Sequence, residues 1–403
     1  MIRKSKKHIL DENTIKPRED QEIIINNLFS YLQENNKALL ILMCGIGKTL
    51  ISIWTVEKLK FSKIIIGVPN TLLLKQWHSE INRIMKDINI LLVKSGVSED
   101  DIKKFINENE KHIIITTYAS SYKVVKATKE INHNFDIKIN DECHHLTSKN
   151  MEKEKTTKTY VEMMKINSTK QISLTATIKN LESNSSDLTI ISNDDIKYFG
   201  NVVDKRCLLW AINNNIVCDY LIQTIITDEY DINNLFTKFK IIDDNDKRLF
   251  LSAYSSLKSI IDGNSHHLLI YANSKENSSK IFNYVNQLIE EKYFTIPDLS
   301  YNYYHSDMNS KEQKDILKKY NKSKYGIISC VYCLGEGYDN KIIDGVVFAE
   351  NMSSNIRIVQ SALRAGRKNK NEPTKLTKII LPILNTNDLL SNDENIDLKK
   401  FVK

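Results

Sequence analysis

Short apolar runs alternate with amphipathic segments along most of this 403-residue chain. The runs have the length of strands, and the segments between them repeat their apolar residues with a helical period. The clearest runs are Ala38–Ile41, Lys63–Pro69, Ile88–Val93, His112–Thr117 and Phe135–Asn140 in the first half, and His267–Ser274, Leu299–Tyr304, Tyr325–Cys330, Gly345–Ala349 and Lys378–Leu384 in the second. Strands that alternate with helices predict a mostly parallel α/β sheet, in which ligands bind at the carboxyl ends of the strands.

An Asn- and Ser-rich segment over 180–193 interrupts this alternation and is typical of a loop or linker. The length of the chain also exceeds what a single core supports, so we expect two α/β domains. The predicted organisation is a flexible basic N-terminus over 1–15, a first domain over 16–185, a linker over 186–215, a second domain over 216–390 and a polar tail over 391–403.

A glycine loop follows the first strand and precedes the helical run Leu50–Leu59; it reads Leu42-Met43-Cys44-Gly45-Ile46-Gly47-Lys48-Thr49. The order strand, glycine loop, helix is the order that a phosphate-binding loop requires. Gly45 and Gly47 let the backbone approach a phosphate, and the helix N-terminus faces the anion. Lys48 would reach the β- and γ-phosphates, and Thr49 would bind Mg²⁺. Leu42 stands where the usual spacing has glycine, so the alternative is an unrelated turn before a lysine.

Two carboxylates, Asp141 and Glu142, directly follow the run Phe135–Asn140. At the carboxyl end of a parallel strand they would face the glycine loop. Asp141 would hold Mg²⁺ through water, and Glu142 would polarise the attacking water as general base. His144 would form a hydrogen bond across the cleft and sense the nucleotide. Because polar Lys138 and Asn140 alternate with apolar residues in this strand, the alternative is an acidic turn after an edge strand.

Composition narrows the class of protein further. A hydrophobic content of 41% and a charged content of 27% are typical of a soluble globular protein. No apolar run approaches the ~20 residues of a membrane span, and no apolar region of a secretory signal follows the basic start. The six cysteines are typical of reduced thiols, and Cys330 and Cys333 lack a second pair for a zinc site. We therefore expect an intracellular protein, cytoplasmic or nuclear, and a net charge of +7 is compatible with a polyanionic partner.

The order of motifs resembles that of the superfamily 2 helicases of the DExH type. The first half carries Arg18 and Gln21, then LMCGIGKT, VPNTLLLKQW, ITTY, NDECHH and SLTAT; the second carries LLIYANS, SCVYCLGEGYD and VQSALRAGR. The resemblance implies two tandem RecA-like P-loop domains, each a mostly parallel sheet flanked by helices, with ATP and Mg²⁺ as cofactors. The Lys- and Asn-rich composition looks like that of helicases of large DNA viruses, which would place the protein in the host cytoplasm or the virion.

The resemblance also implies a role for each matching residue. The expected catalytic residues are Lys48, Glu142, Arg364 and Arg367, with the two arginines acting on the γ-phosphate. The expected nucleotide contacts are Gln21, Gly45, Ile46, Gly47, Lys48, Thr49, Gly337, Asp339 and Gln360; Thr49 and Asp141 would bind the metal, and His144, Thr175 and Thr177 would couple hydrolysis to nucleic-acid binding. Phosphates of the nucleic acid would lie against Asn70, Thr71, Thr116, Thr117, Asn273 and Ser274.

We expect a nucleic-acid-dependent ATPase that moves along DNA or RNA and unwinds it, with a single strand as the track. Two alternatives remain. One is a duplex DNA translocase or remodeller that does not separate strands. The other is a nucleotide-binding scaffold with decayed hydrolysis, against which the intact Lys48, Asp141, Glu142 and Arg367 argue.

Overall fold

The computed structural model describes residues 15–147, 160–179, 191–225, 229–331, 334, 338, 340–351 and 355–382. The chain divides into two compact units, Met1–Trp210 and Ala211–Lys403. Each unit contains one sheet of parallel strands, and α-helices lie in most of the connections between successive strands, so the predicted fold class is confirmed.

The first unit contains a seven-stranded sheet in the order β3-β4-β2-β5-β6-β1-β7. Its strands are β1 (Lys37–Leu42), β2 (Lys63–Val68), β3 (Asn89–Val93), β4 (His112–Thr117), β5 (Phe135–Asn140), β6 (Ser168–Thr175) and β7 (Asn201–Arg206). Its helices are α1 (Glu19–Glu34), α2 (Lys48–Leu59), α3 (Thr71–Ile84), α4 (Glu99–Glu108), α5 (Ser121–Glu130) and α6 (Ile196–Phe199), and α7 (Leu208–Asn213) spans the division between the units. The inner strands are almost wholly buried, as expected when helices cover both faces of a parallel sheet.

The position of β5 decides one of the alternatives left open by the sequence. β5 pairs with β2 on one side and with β6 on the other, so it is an inner strand and the edge-strand interpretation is wrong. Its polar residues Lys138 and Asn140 are both buried. Because β5, β6 and β1 are neighbours in the order, their carboxyl ends bring the acid pair, Thr175 and the glycine loop to one edge of the sheet.

The expected linker over 186–215 contains β7, which pairs in parallel with β1 and adds a seventh strand to the first sheet. The chain enters β7 through Gly200 with φ of +86°, and a Cβ at this position would overlap the backbone carbonyl of Lys37. Only glycine tolerates both the left-handed backbone and this close approach. The strand escapes sequence analysis because an edge strand that is partly solvated has few apolar residues.

The second unit contains a six-stranded sheet in the order β10-β11-β9-β12-β13-β8. Its strands are β8 (Tyr220–Ile225), β9 (His267–Tyr271), β10 (Leu299–Tyr304), β11 (Tyr325–Cys330), β12 (Gly345–Phe348) and β13 (Thr377–Pro382). Its helices are α8 (Glu229–Lys238), α9 (Asp244–Ile261), α10 (Lys275–Glu290), α11 (Ser310–Lys322) and α12 (Asn355–Ala362). Two apolar cores, one on each face of this sheet, are built around Leu268 and Ile270 on one side and Leu269 and Tyr271 on the other. Among the described helices of the chain, none is long and apolar enough to cross a membrane.

Candidate nucleotide site

The glycine loop leaves β1 after Leu42 and enters α2 at Lys48, as the sequence predicts. Gly45 and Gly47 have φ of +96° and +100°, in the left-handed region that other residues seldom adopt. At Gly47 a Cβ would also lie only 2.5 Å from the side-chain nitrogen of Gln21. Position 47 therefore requires glycine, both for its left-handed backbone and for the close approach of Gln21.

Gln21 on α1 fixes the shape of the loop from one side. Its Nε2 donates to the carbonyl of Ile46 at 2.8 Å, and its Oε1 accepts from the backbone N–H of Arg18 at 3.0 Å. The guanidinium of Arg18 donates to the same Ile46 carbonyl at 3.0 Å. Gln21 is 1% exposed. In this structure the residue that was expected to contact the nucleotide instead forms a buried hydrogen bond that connects α1 to the glycine loop.

Lys48 and Glu142 form the charged centre of the site. The Lys48 Nζ lies 3.0 Å from Glu142 Oε1, and the two side chains are only 10% and 11% exposed. Burial opposes the charge of each, but the ion pair outweighs it, so the pKa of Lys48 is raised and the pKa of Glu142 is lowered, the latter with help from His144. Both groups are thus held in their charged forms before any ligand binds.

Asp141 has a different environment from its neighbour. Its Oδ2 accepts from the indole N–H of Trp77 at 2.7 Å, and its Oδ1 accepts from the backbone N–H of Glu142 at 3.0 Å. The hydroxyl of Tyr118 donates to the backbone carbonyl of Asp141. Burial, followed by the nearby charge of Glu142, raises the pKa of Asp141 to about 6. Trp77 and Tyr118 therefore hold the acid pair in place, and sequence analysis assigned neither of them a role.

A chain of polar contacts runs from Glu142 to the end of β6. The His144 Nδ1 lies 3.5 Å from Glu142 Oε2 and 3.3 Å from the hydroxyl of Thr175. The Thr175 hydroxyl donates to the carbonyl of Thr177 at 2.7 Å and accepts from the Thr177 N–H at 3.2 Å. The three expected coupling residues are thus brought together beside the charged pair.

The residues present fit a nucleotide with Mg²⁺. Within the described ranges, the buried Glu142 Oε2 and Thr177 Oγ1 have no hydrogen-bond partner, so each retains acceptor capacity. Thr49 lies in the first turn of α2, and each carboxylate oxygen of Asp141 accepts one hydrogen bond and keeps a lone pair. Mg²⁺ is usually held by one or two carboxylates together with substrate phosphates, and Asp141 supplies one such carboxylate.

The expected nucleic-acid contacts of the first unit are distributed unevenly. Asn70 caps α3, its side chain accepting from the backbone N–H groups of Leu72 and Leu73 at 3.0 Å, and Thr71 is exposed beside it. Thr116 and Thr117 are both buried, and the Thr116 hydroxyl donates to the carbonyl of Thr117 at 3.1 Å. Thr71 alone of these four presents an exposed side chain in this structure.

The candidates in the second unit make local contacts. Gln360 is buried on α12. Arg364 is a 7% exposed residue whose guanidinium donates to the carbonyl of Tyr338 at 3.0 Å. Arg367 is half-buried, and its carbonyl accepts from Lys375 Nζ at 2.8 Å. Gly337 and Asp339 lie outside the described residues.

Asn273 and Ser274, the expected nucleic-acid contacts of the second unit, lie just beyond the carboxyl end of β9. The Asn273 side chain donates to the carbonyl of Asn351 at 3.1 Å, and the hydroxyl of Ser274 caps α10 by accepting from Asn277 at 3.0 Å. Asn273 is exposed and Ser274 is half-buried.

Comparison with known protein families gives two matches. Residues 14–180 match the family described as "Type III restriction enzyme, res subunit", and residues 252–369 match the "Helicase conserved C-terminal domain". Together the two matches indicate a superfamily 2 helicase. The glycine loop, the acid pair and Thr175 lie within the first matched range, and Gln360, Arg364 and Arg367 lie within the second. A search of curated proteins finds no significant match.

Solved structures share the helicase fold at low sequence identity. The ATP-dependent Type ISP restriction-modification enzyme LlaBIII bound to DNA is 22% identical with a TM-score of 0.77, and the match covers 92% of this chain and 28% of that one. A nuclease-deletion mutant of the Type ISP enzyme LlaGI, in complex with a DNA substrate mimic, is 20% identical with a TM-score of 0.63, covering 96% and 28%. A putative HsdR subunit of a type I restriction enzyme from Vibrio vulnificus is 17% identical with a TM-score of 0.61, covering 94% and 66%. These likenesses show tandem RecA-like domains, and this chain spans about a quarter to two thirds of their lengths.

Proposed function

We propose that the protein is an ATP-driven motor that translocates along DNA. The observation that carries the proposal is the Lys48–Glu142 pair, which lies at a preformed glycine loop and is linked through His144 to Thr175. A nucleic-acid motor needs a physical connection between the site that hydrolyses ATP and the residues that couple hydrolysis to nucleic-acid binding. The contacts from Glu142 through His144 to the Thr175 hydroxyl at the end of β6 would supply such a connection. DNA is favoured over RNA because LlaBIII and LlaGI, which share the fold, are described as bound to DNA or a DNA substrate mimic.

The Lys48–Glu142 pair suggests how hydrolysis is switched on. We propose that an incoming γ-phosphate draws the Lys48 ammonium away from Glu142 Oε1, which lies 3.0 Å from it. The carboxylate then loses its counter-charge, and its pKa rises toward the range of an effective general base. Without nucleotide, the same ion pair keeps the base occupied.

Thr49 and Asp141 are the residues that would hold Mg²⁺. When bound, the metal would neutralise charge on the β- and γ-phosphates. Trp77 and the N–H of Glu142 orient the Asp141 carboxylate, so its oxygens are already positioned. Loss of a supporting hydrogen bond of this kind typically lowers metal affinity about 10- to 100-fold.

The two arginines of the second unit have different proposed roles. Arg364 is buried and donates to the carbonyl of Tyr338, so we assign it to holding Tyr338 in place. Arg367 is half-buried, and we assign it to the γ-phosphate in the transition state. Gly337 and Asp339 stay predicted nucleotide contacts, and the DExH type and an origin in a large DNA virus stay predictions.

Strand separation is the second candidate activity, because the matched second domain is described as a helicase domain. The two activities are distinguished by two substrates. A translocase that does not unwind displaces a third strand from a triplex and leaves the duplex intact, whereas a helicase releases one strand of a tailed duplex.

The experiment measures ATP hydrolysis by the full chain alone and with single-stranded DNA, single-stranded RNA or duplex DNA, at two salt concentrations. We expect strong stimulation by a DNA polymer and a steep loss of stimulation as salt rises, because phosphate contacts release counterions. Hydrolysis that no polymer stimulates would overturn the motor proposal and favour a nucleotide-binding scaffold.

A further inference from the structure

A polar cavity of about 260 Å³ lies at the amino ends of β6 and β1 in the first unit and reaches Lys138 in the middle of β5. The nucleotide site lies at the carboxyl ends of the same three strands, so the two are at opposite edges of the sheet. Lysine side chains and uncharged polar groups line the cavity, among them Asn36, Lys37, Lys138, Lys170, Gln171 and Tyr198. No carboxylate lines it within the part of the chain that is described.

The register of the sheet places two of these lysines in one row. Lys37 on β1 is opposite Gln171 on β6, and Gln171 is opposite Lys138 on β5. Neighbouring strands lie about 4.8 Å apart, so the backbones carrying Lys37 and Lys138 are only about 10 Å apart. Like charges so close in a partly buried place repel each other unless a counter-charge lies between them.

Lys138 is the buried member of the row. It is 4% exposed, and its ammonium donates to the backbone carbonyls of Met164 at 3.2 Å and Ile166 at 3.0 Å. An ammonium has three donors, so one remains after these two bonds. Burial, together with the charge of Lys37, lowers the pKa of Lys138 to about 8.

The other two lysines are also held by neutral oxygens. The Lys170 ammonium donates to the Asn35 carbonyl and the Asn36 side chain, both at 3.1 Å, and the Lys37 ammonium donates to the Lys197 carbonyl at 2.6 Å. Across the described residues, none of the three lysines has a carboxylate partner. Three lysines therefore line one cavity, and no carboxylate among its described lining residues compensates their charge.

We propose that this cavity binds a small, doubly charged oxyanion such as free phosphate or sulfate. The volume lies just below the ~300–1,000 Å³ of sites for drug-sized ligands, which suits a small ion better than a nucleotide. A free ion can also reach the buried ammonium of Lys138, which a nucleic-acid backbone enclosed by its sugars and bases reaches less readily. The site has no part in the proposed ATPase chemistry.

Melting of the full chain with increasing sodium sulfate, compared with sodium chloride at equal ionic strength, tests the proposal. Sulfate stabilises most proteins by exclusion from their surface, but that effect does not saturate. We expect the melting temperature of the wild type to show an additional rise that saturates with sulfate. The control variant Lys104→Gln, which replaces an exposed lysine outside the cavity, should show the same saturable rise. The double variant Lys37→Gln/Lys170→Gln should bind sulfate at least tenfold more weakly. It leaves the buried Lys138 unchanged, so its fold should be retained.

The proposal would be overturned if the melting temperatures of the double variant and the control saturated at the same sulfate concentration. That result would mean that sulfate binds elsewhere, for example at the glycine loop, which both proteins retain. Equal non-saturating rises in all three proteins would overturn it too. A short single-stranded DNA is added as a competitor. If the DNA displaces sulfate in the wild type but not in the double variant, the ligand is a nucleic-acid phosphate and the free-anion proposal fails.

A pH series from 7.5 to 9.5 tests the part played by Lys138. Sulfate keeps its charge in this range, and lysines with ordinary pKa values, near 10.4, stay mostly protonated. Lys37, Lys170 and Tyr198 are the other titratable groups that line the cavity. We expect sulfate affinity to fall several-fold as Lys138 loses its proton, and Lys138→Met to remove this dependence. A wild-type affinity that is constant across the series would show that Lys138 does not contact the anion.

Discussion

The carboxyl ends of the two sheets differ in how their polar residues are connected. In the first unit, contacts of 3.0 to 3.5 Å run from Lys48 through Glu142 and His144 to Thr175. In the second unit, Asn273 and Arg364 bond to backbone groups nearby in the same unit. The first unit therefore holds an assembled charge network without a ligand, whereas the contacts described for Asn273 and Arg364 of the second unit are to backbone carbonyls. This difference means that substitutions in the two units should change different measured quantities.

The largest expected effect concerns the second unit. Arg367→Ala should lower polymer-stimulated kcat by about 10³-fold or more, the range for arginines that stabilise phosphoryl transfer. Arg364→Ala should also lower the melting temperature by several degrees, because it leaves the Tyr338 carbonyl without its donor. Steady-state kinetics and thermal melting measure both effects, with exposed Lys370→Ala as control. A wild-type kcat in Arg367→Ala would show that Arg367 of the second unit takes no part in ATP hydrolysis.

The next effect concerns the charged pair of the first unit. Lys48→Ala should lower kcat/KM for ATP by about 10²–10³-fold, because a positioned positive charge on the phosphates is lost. The pKa of Glu142 should rise as well, since the Lys48 ammonium lowers it. Steady-state kinetics measure the loss, and Lys58→Ala, near the end of the same helix, serves as control. Activity within tenfold of the wild type would contradict the assigned role of the glycine loop.

A smaller effect is expected from the residue that supports Asp141. Trp77→Phe keeps an aromatic ring but removes the N–H that donates to Asp141 Oδ2. The Mg²⁺ concentration for half-maximal hydrolysis should increase about 10- to 100-fold, as for other supporting bonds to metal ligands. Trp54→Phe on α2 is the matched control. If both variants need the same Mg²⁺ concentration as the wild type, Trp77 only fills the core.

The smallest expected effects are changes in folding stability with pH, which have opposite directions in the two units. Burial lowers the pKa of His133 to about 4 in the first unit. Between about pH 6.5 and 4 the unfolded chain binds a proton at this histidine before the folded protein does, so folding stability is lost as pH falls through this range. In the second unit, a hydrogen bond to Asp344 raises the pKa of His266, so its contribution is complete below pH 6.5 and is lost as pH rises above it. His133→Gln should flatten the acid loss of the melting temperature, and His266→Gln should remove the gain toward acid. Variants that both follow the wild-type pH profile would show that neither group is linked to folding.

Sequence patterns predicted the parallel sheets well because buried strands such as β4 and β11 are short runs of mostly apolar residues, and their predicted bounds match the structure. The half-buried edge strand β10 was also predicted, because it is rich in aromatic residues. β7 was not predicted, because a half-solvated edge strand lacks that pattern. Glu142 and Lys48 were identified from motif spacing, whereas the hydrogen bonds of Trp77 and Tyr118 to Asp141 depend on chain segments far apart in sequence. Trp77 on the apolar face of the amphipathic helix α3 was the available signal, since a buried indole N–H needs a partner.

The most direct test of the central claim is to measure ATP hydrolysis and ATP binding on one preparation of Glu142→Gln. The side chain keeps its shape but loses the general base. We predict that polymer-stimulated kcat falls about 10²–10⁴-fold while ATP binds within a few-fold of the wild-type affinity. Hydrolysis that persists within tenfold of the wild type would contradict the assignment of the first unit's charge network to ATP hydrolysis.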